Sequence, residues 1–188
     1  MPLDISDFRS TMALDGARPN LFEVELNIPT SVQNLSPGFN RKFVTMCRAS
    51  TIPGQTLGVT PVAYQGRDIK LAGNRTFEPW TVTVYNDEDF SMRKAFEAWT
   101  NAINTHRTNL RLQGIGGSGG SPSYDYTSDA VVHQLSKFDF SPNRSYRMIS
   151  AWPSSVEQIQ LDWSSNDQVM EFTVTFEMDL WETADLAS

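Results

Sequence analysis

At 188 residues, with 39% hydrophobic and 20% charged side chains, the chain holds enough apolar material for a packed domain and too much for a disordered one. Its apolar runs are too short for a membrane-spanning helix, and the opening MPLDISDFRST lacks the apolar segment of a secretory signal. One cysteine, Cys47, excludes an intramolecular disulfide and suits a reducing cytoplasm, while a net charge of −7 weighs against nucleic-acid binding.

Residues 1–188 read as a single domain. LFEVELNI (21–28) alternates with Phe22, Val24, Leu26 and Ile28 on one face, a strand closed by Pro29. RKFVTMCRAS (41–50) reads as a second strand. Between about 51 and 75, Pro53-Gly54, Gly58, Gly66 and Gly73 punctuate short extended pieces, which predicts a projecting hairpin arm. PWTVTVYN (79–86) is a strand rich in Thr and Val. Met92, Ala95, Phe96, Trp99, Ala102 and Ile103 then fall at helical spacing, so a helix is expected over about 89–104. The preceding Asp87, Glu88 and Asp89 are explained as capping and dipole-compensating carboxylates.

The glycine-rich stretch 113–125 reads as a flexible loop. Strands are expected at 130–140, 145–152 and 155–163, with the SSND after Trp163 as a turn. The last strand, MEFTVTFEMDL (170–180), alternates throughout: Met170, Phe172, Val174, Phe176, Met178 and Leu180 on one face, Glu171, Thr173, Thr175, Glu177 and Asp179 on the other. Residues 154–182 would then form an acidic hairpin. The sum is a mainly β (α+β) fold, a β-sandwich or barrel of about seven strands with one packed α-helix and a projecting arm.

Charge is unevenly distributed. After Arg147 the remaining 41 residues contain eight acids and no Lys or Arg, whereas residues 41–75 carry Arg41, Lys42, Arg48, Arg67, Lys70 and Arg75 against Asp68 alone. Two unlike patches of opposite sign suit a head-to-tail contact between copies.

Chemistry is poorly supported. GGSGG (116–120) matches a nucleophile-elbow pattern around Ser118 but lies in low-complexity sequence. Cys47, His106 and His133 have no ligand spacing. Glu171 and Glu177, if on one strand face, stand about 20 Å apart, too far for a glycosidase pair. Arg67, Lys70 and Arg75 near Tyr64 and Phe77 only partly match a nucleic-acid stripe. No catalytic residue, cofactor or metal is expected. Trp152, Trp163 and Trp181 could form a ligand-stacking platform, but core or interface packing is the expected role.

Three stretches, GARPNLFEVEL (16–26), GRDIKLAGNRTFEPWTVTVYNDED (66–89) and WPSSVEQIQLDWSSNDQVMEFTVTFEMDLWE (152–182), resemble the tail tube proteins of contractile-tailed, T4-like bacteriophages. CRASTIPG (47–54) also fits that pattern, while Asn74 replaces an expected Asp and the 114–120 loop is expanded. The resemblance implies a non-enzymatic subunit, without cofactor, that assembles into hexameric rings stacked as a tube. It implies a sheath outside, a baseplate and tail terminator at the ends, and tape-measure protein followed by DNA in the lumen, with no membrane partner. The implied location is the virion tail, assembled in the host cytoplasm; tubes of phage-like bacteriocins and injection systems are the alternative. On this reading Pro53, Gly54, Tyr64, Gly66, Arg67, Lys70 and Arg75 are candidate contacts between subunits or rings. Glu171, Thr173, Thr175, Glu177 and Asp179 either line the lumen, where acids repel phosphate, or lend Glu171 and Glu177 to Arg67, Lys70 or Arg75 of a neighbour.

Overall fold

A computed structural model describes residues 4–12, 16–29, 32, 37–110 and 126–183. Among them are nine strands and three helices. The helices are α1 (Ile5–Thr11), α2 (Phe39–Met46) and α3 (Ser91–Ile103). The strands are β1 (Phe22–Leu26), β2 (Cys47–Ser50), β3 (Gln55–Tyr64), β4 (Arg67–Phe77), β5 (Trp80–Tyr85), β6 (Ser128–Leu135), β7 (Pro142–Val156), β8 (Glu171–Glu177) and β9 (Leu180–Thr183). None of the described helices is long and apolar enough to cross a membrane.

Seven strands form one antiparallel sheet in the order β1-β6-β7-β8-β5-β2, with β9 also on β7. The 15-residue β7 serves two halves of that sheet. Its first part pairs with β6 and β9, and its last part, from Trp152, pairs with β8. The change of partner falls between Ala151 and Trp152, just after Ser150, whose φ of 59° breaks the extended path; the Ser150 N–H donates to Asp129 Oδ1 at 3.2 Å. Pro153 and Ser155 flank a register shift, where a proline's missing donor is tolerated.

Alternation in β5 and β8 does what period two requires. Trp80, Val82 and Val84 face the core together with Phe172, Val174 and Phe176. Helix α3 lies on that face through Met92, Ala95, Phe96, Trp99 and Ala102. The Phe96 ring sits 6.0 Å from both Phe172 and Phe176, and 5.4 Å from Phe39 of α2. Each such aromatic burial contributes about 2 kcal/mol or more. Val24 and Leu26 of β1, Ala130 and Val132 of β6, and Met148 of β7 join the same core.

Three expectations are corrected. Residues 41–50 are not one strand: 39–46 are helical because Phe39 and Phe43, one turn apart, pack against Phe96. The expected strands 145–152 and 155–163 are one strand ending at Val156, and 157–170 is a loop whose Ile159, Leu161 and Trp163 alternate without a partner strand. The alternation from 170 to 180 stops at Glu177, because Met178 and Asp179 form a kink that leaves Leu180 exposed. The glycine-rich 113–125 stretch, with Ser118, lies outside the described residues.

Candidate assembly surfaces

The arm consists of β3 and β4, a two-stranded hairpin in which every residue of β3 is exposed. Ten residues at about 3.3 Å each carry it roughly 33 Å from its base. At its tip Gln65 and Gly66 have φ values of 47° and 77°, the two-residue turn that matches strand twist and that glycine permits without strain. Near its base the register shifts between Leu57 and Val59. A Cβ on Gly73 would lie 3.1 Å from the Gly58 backbone, so the strands approach closely there.

Register divides the arm into two faces. Val62, Tyr64, Ile69 and Leu71 share one with Thr60 and Arg67; Pro61, Ala63, Asp68 and Lys70 share the other. Tyr64 is 60% exposed and Ile69 51%. Such apolar exposure on a hairpin that cannot hold itself together well points to a covering partner. Of the candidate contacts, Tyr64, Gly66, Arg67, Lys70 and Arg75 lie on this exposed hairpin. Pro53 and Gly54 do not. Pro53 is buried, and the Gly54 carbonyl accepts from the Glu78 N–H and from Trp181 Nε1, so these residues anchor the arm within their own subunit.

The second surface is the outer face of the β2-β5-β8 half. Thr81 pairs with Thr175, Thr83 with Thr173 and Tyr85 with Glu171, each partly or fully exposed. This face is paved with hydroxyls rather than acids. Glu171 is ion-paired with Arg48 of its own chain, whose guanidinium lies 6.0 Å from the centre of the Tyr85 ring and is held further toward its charged form by the Glu171 carboxylate. Glu177 sits at the far end of the same face, and Asp179 leaves it in the kink before β9.

The third surface is the loop 157–170. Its start is pinned where Arg93 Nη1 of α3 donates to the Glu157 carbonyl at 2.9 Å. At its tip the Asp162 carboxylate accepts from the Ser164 N–H and hydroxyl at 2.9 and 2.8 Å, which holds that carboxyl below its ordinary range and turns Trp163 outward. Trp163 is 101% exposed, so of the expected core or interface packing it has none in its own core, and Leu161 is 79% exposed. Trp181 instead packs on Phe77 and Tyr146, and Trp152 on Tyr126, so the three tryptophans form no common platform. Loop and sheet end enclose an open cleft of about 1070 Å³, lined by Arg48, Tyr85, Leu161, Trp163 and Glu171 among others.

The residues singled out for chemistry lie apart. Burial pushes the Cys47 thiol up to about 12, so it is protonated at neutral pH, and its Sγ faces the Ala49 carbonyl. His106 Nδ1 contacts Asn101 Oδ1 at 2.8 Å, and His133 Nδ1 contacts Ser145 Oγ at 2.7 Å. Among the described residues no three His, Cys, Asp or Glu side chains are grouped to hold a metal ion. Sequence reasoning missed the apolar loop tip because the Ile159, Leu161, Trp163 alternation is that of a buried strand.

Residues 17–184 match the family model described as phage tail tube protein. The chain is 34% identical to tail tube protein gp19 of Enterobacteria phage T4 over 168 residues, 89% of this chain and 92% of that one. Its fold is similar to that of a chain in the six-fold symmetrised baseplate of the anti-feeding prophage, with a TM-score of 0.56 and 16% identity over 89% of this chain and 95% of that one. A chain in the extended sheath-tube complex of an extracellular contractile injection system, PVC, gives a TM-score of 0.51 with 15% identity over 93% and 95% of the two chains. The chain belongs to the phage tail tube protein family.

Proposed function

We propose that this chain, as a single domain, is the repeating subunit of the inner tube of a contractile phage tail. Copies close into hexameric rings, and the rings stack into a hollow cylinder. The observation that carries the reading, beside family membership, is the arm: about 33 Å of hairpin with apolar side chains in water, which a neighbouring copy would cover. Open edges at β1 and β2 are further pairing sites for neighbours around the ring.

The outer face of β2, β5 and β8, with Thr173, Thr175 and Glu177, lines the bore. Hydroxyls and a slight excess of acid offer phosphate no counterion-releasing partner, so tape-measure protein and then DNA pass without being held. Exposed Tyr64, Gly66, Arg67, Lys70 and Arg75 make the contacts between rings or subunits. A sheath surrounds the tube, baseplate and terminator close its ends, and the product is part of the virion tail, assembled in the host cytoplasm. The role is structural and non-enzymatic. A phage origin is favoured over an injection device by identity of 34% to the T4 protein against 16% to the prophage chain.

Negative-stain microscopy of the purified protein, alone and with baseplate seeds, tests this. Stacked rings with a central hole are expected. Material that stays monomeric with seeds present overturns the proposal.

A further inference from the structure

The strands of the β2-β5-β8 half connect the arm and the exposed loop in a particular way. Trp80 pairs with Phe176 at one end of the half, and the arm, which closes at Phe77, leaves from there. Tyr85 pairs with Glu171 at the other end, and the loop 157–170 ends immediately before Glu171. Strand β2 agrees: Ser50, which leads into the arm, lies opposite Val82, and Cys47 lies opposite Val84. Arm and loop therefore stand at opposite poles of one rigid sheet.

The two poles are complementary. The hairpin carries Arg67, Lys70 and Arg75 against Asp68, with the apolar Ile69 and Leu71 between them. The loop pole carries Glu157, Asp162, Asp167 and Glu171 with no Lys or Arg in the same stretch, and Leu161, Trp163 and Val169 are exposed among them. Arg48, the cation that faces the cleft, is already paired with Glu171. The turn between β6 and β7 is a weaker receptor. It too exposes aromatics, Phe138 and Phe140, but Lys137 and Arg144 flank them against Asp139 alone, and a basic arm would meet like charge.

We propose that the cleft beneath the loop 157–170 is the receptor for the arm of a second copy of this chain, with Trp163 as its apolar anchor. A contact between opposite poles of identical subunits is heterologous, and with the poles at the two ends of one sheet it stacks copies along an axis rather than turning them back on one another, the open case of such a contact. The proposal rests on the tube reading and specifies what meets what when one ring is laid on the next. A large aromatic at the centre of such a contact, ringed by acids, is the arrangement in which a few side chains dominate affinity.

The test uses the full chain with seeds. A variant carrying both Gln65→Cys, at the arm tip, and Ser165→Cys, in the loop, is assembled under reducing conditions and then oxidised. The expected result is a ladder of covalent multimers on a denaturing gel, absent from either single variant. Trp163→Ala, which removes a side chain that touches no core, should leave the melting curve unchanged and raise the critical concentration for tubes about tenfold or more. Asp167→Lys should weaken stacking, and Lys70→Glu in the same chain should restore it. Tubes that form normally, give no ladder and tolerate Trp163→Ala overturn this inference and leave the tube reading standing. A wild-type protein that forms no tubes with seeds present removes both.

Discussion

Asp87 is the residue on which the junction of the two longer helices turns. Lys42 of α2 is ion-paired with its carboxylate, Ser91 Oγ donates to Oδ2 at 2.7 Å, and the Met92 N–H reaches Oδ1 at 3.5 Å. Burial alone would raise its pKa, but these donors outweigh that and hold it down to about 2. The unfolded carboxylate titrates near 4, so the ionised native form contributes stability that is fully present above about pH 4 and is lost as pH falls toward 2. Asp87→Asn should therefore cost about 2 kcal/mol at pH 7 and almost nothing at pH 2, measured by urea unfolding at both. An equal loss at the two pH values would contradict the assignment. The capping role of Asp87 was legible in the sequence, since a carboxylate before an apolar helical stripe has few other uses. Its cation was not. Lys42 stands in a segment whose residues alternate well enough to read as a strand, and only the fit of Phe39 and Phe43 against Phe96 makes that segment a helix.

At the scale of elements, the arm and the core strands obey different rules. β5 and β8 have partners on both sides and a helix on one face, so sequence pattern was enough to place both strands and to set Phe172 and Phe176 on the apolar face of β8, while the burial of Trp80 emerges only from the structure. The arm has only itself. A two-stranded hairpin in water is at best marginally stable, and its apolar face gains little until something covers it. Amides of β3 and β4 should thus exchange with solvent nearly unprotected in the free subunit and slow by orders of magnitude in tubes, while those of β5 and β8 stay protected in both. Hydrogen exchange followed by mass spectrometry resolves this, and an arm already protected in the monomer would mean that it is rigid without a partner. The stretch 155–163 was misread for a related reason. Its alternation is real, but Leu161 and Trp163 are exposed in a loop while Ile159 packs partly on the core, and the pattern of apolar side chains alone does not tell these settings apart.

For the whole molecule, linear charge proved a poor guide to surface charge. The acids after Arg147 do not form one face: Glu171 goes to Arg48, Glu157, Asp162 and Asp167 go to the loop pole, and Glu182 lies opposite Arg147 in β7. What is left on the outer face of β5 and β8, the face proposed to line the bore, is mostly threonine. A wall of hydroxyls neither attracts phosphate nor piles up repulsion that would oppose a polyanion moving through a narrow bore. Two lysines per subunit on that wall, at Thr81→Lys and Thr175→Lys, which lie outside the cleft, would repeat around every ring and convert the proposed bore into a cation-lined duct. Tubes of this variant should retain linear duplex DNA at about 50 mM salt and release it at a few hundred millimolar, since each neutralised phosphate adds about 0.9 to the slope of log affinity against log salt. Circular DNA of the same length has no end to thread and should not be retained, nor should wild-type tubes hold either form. Equal retention of circles and linear DNA would put these threonines on the outside of the cylinder, and the bore would have to be built from the opposite half of the sheet.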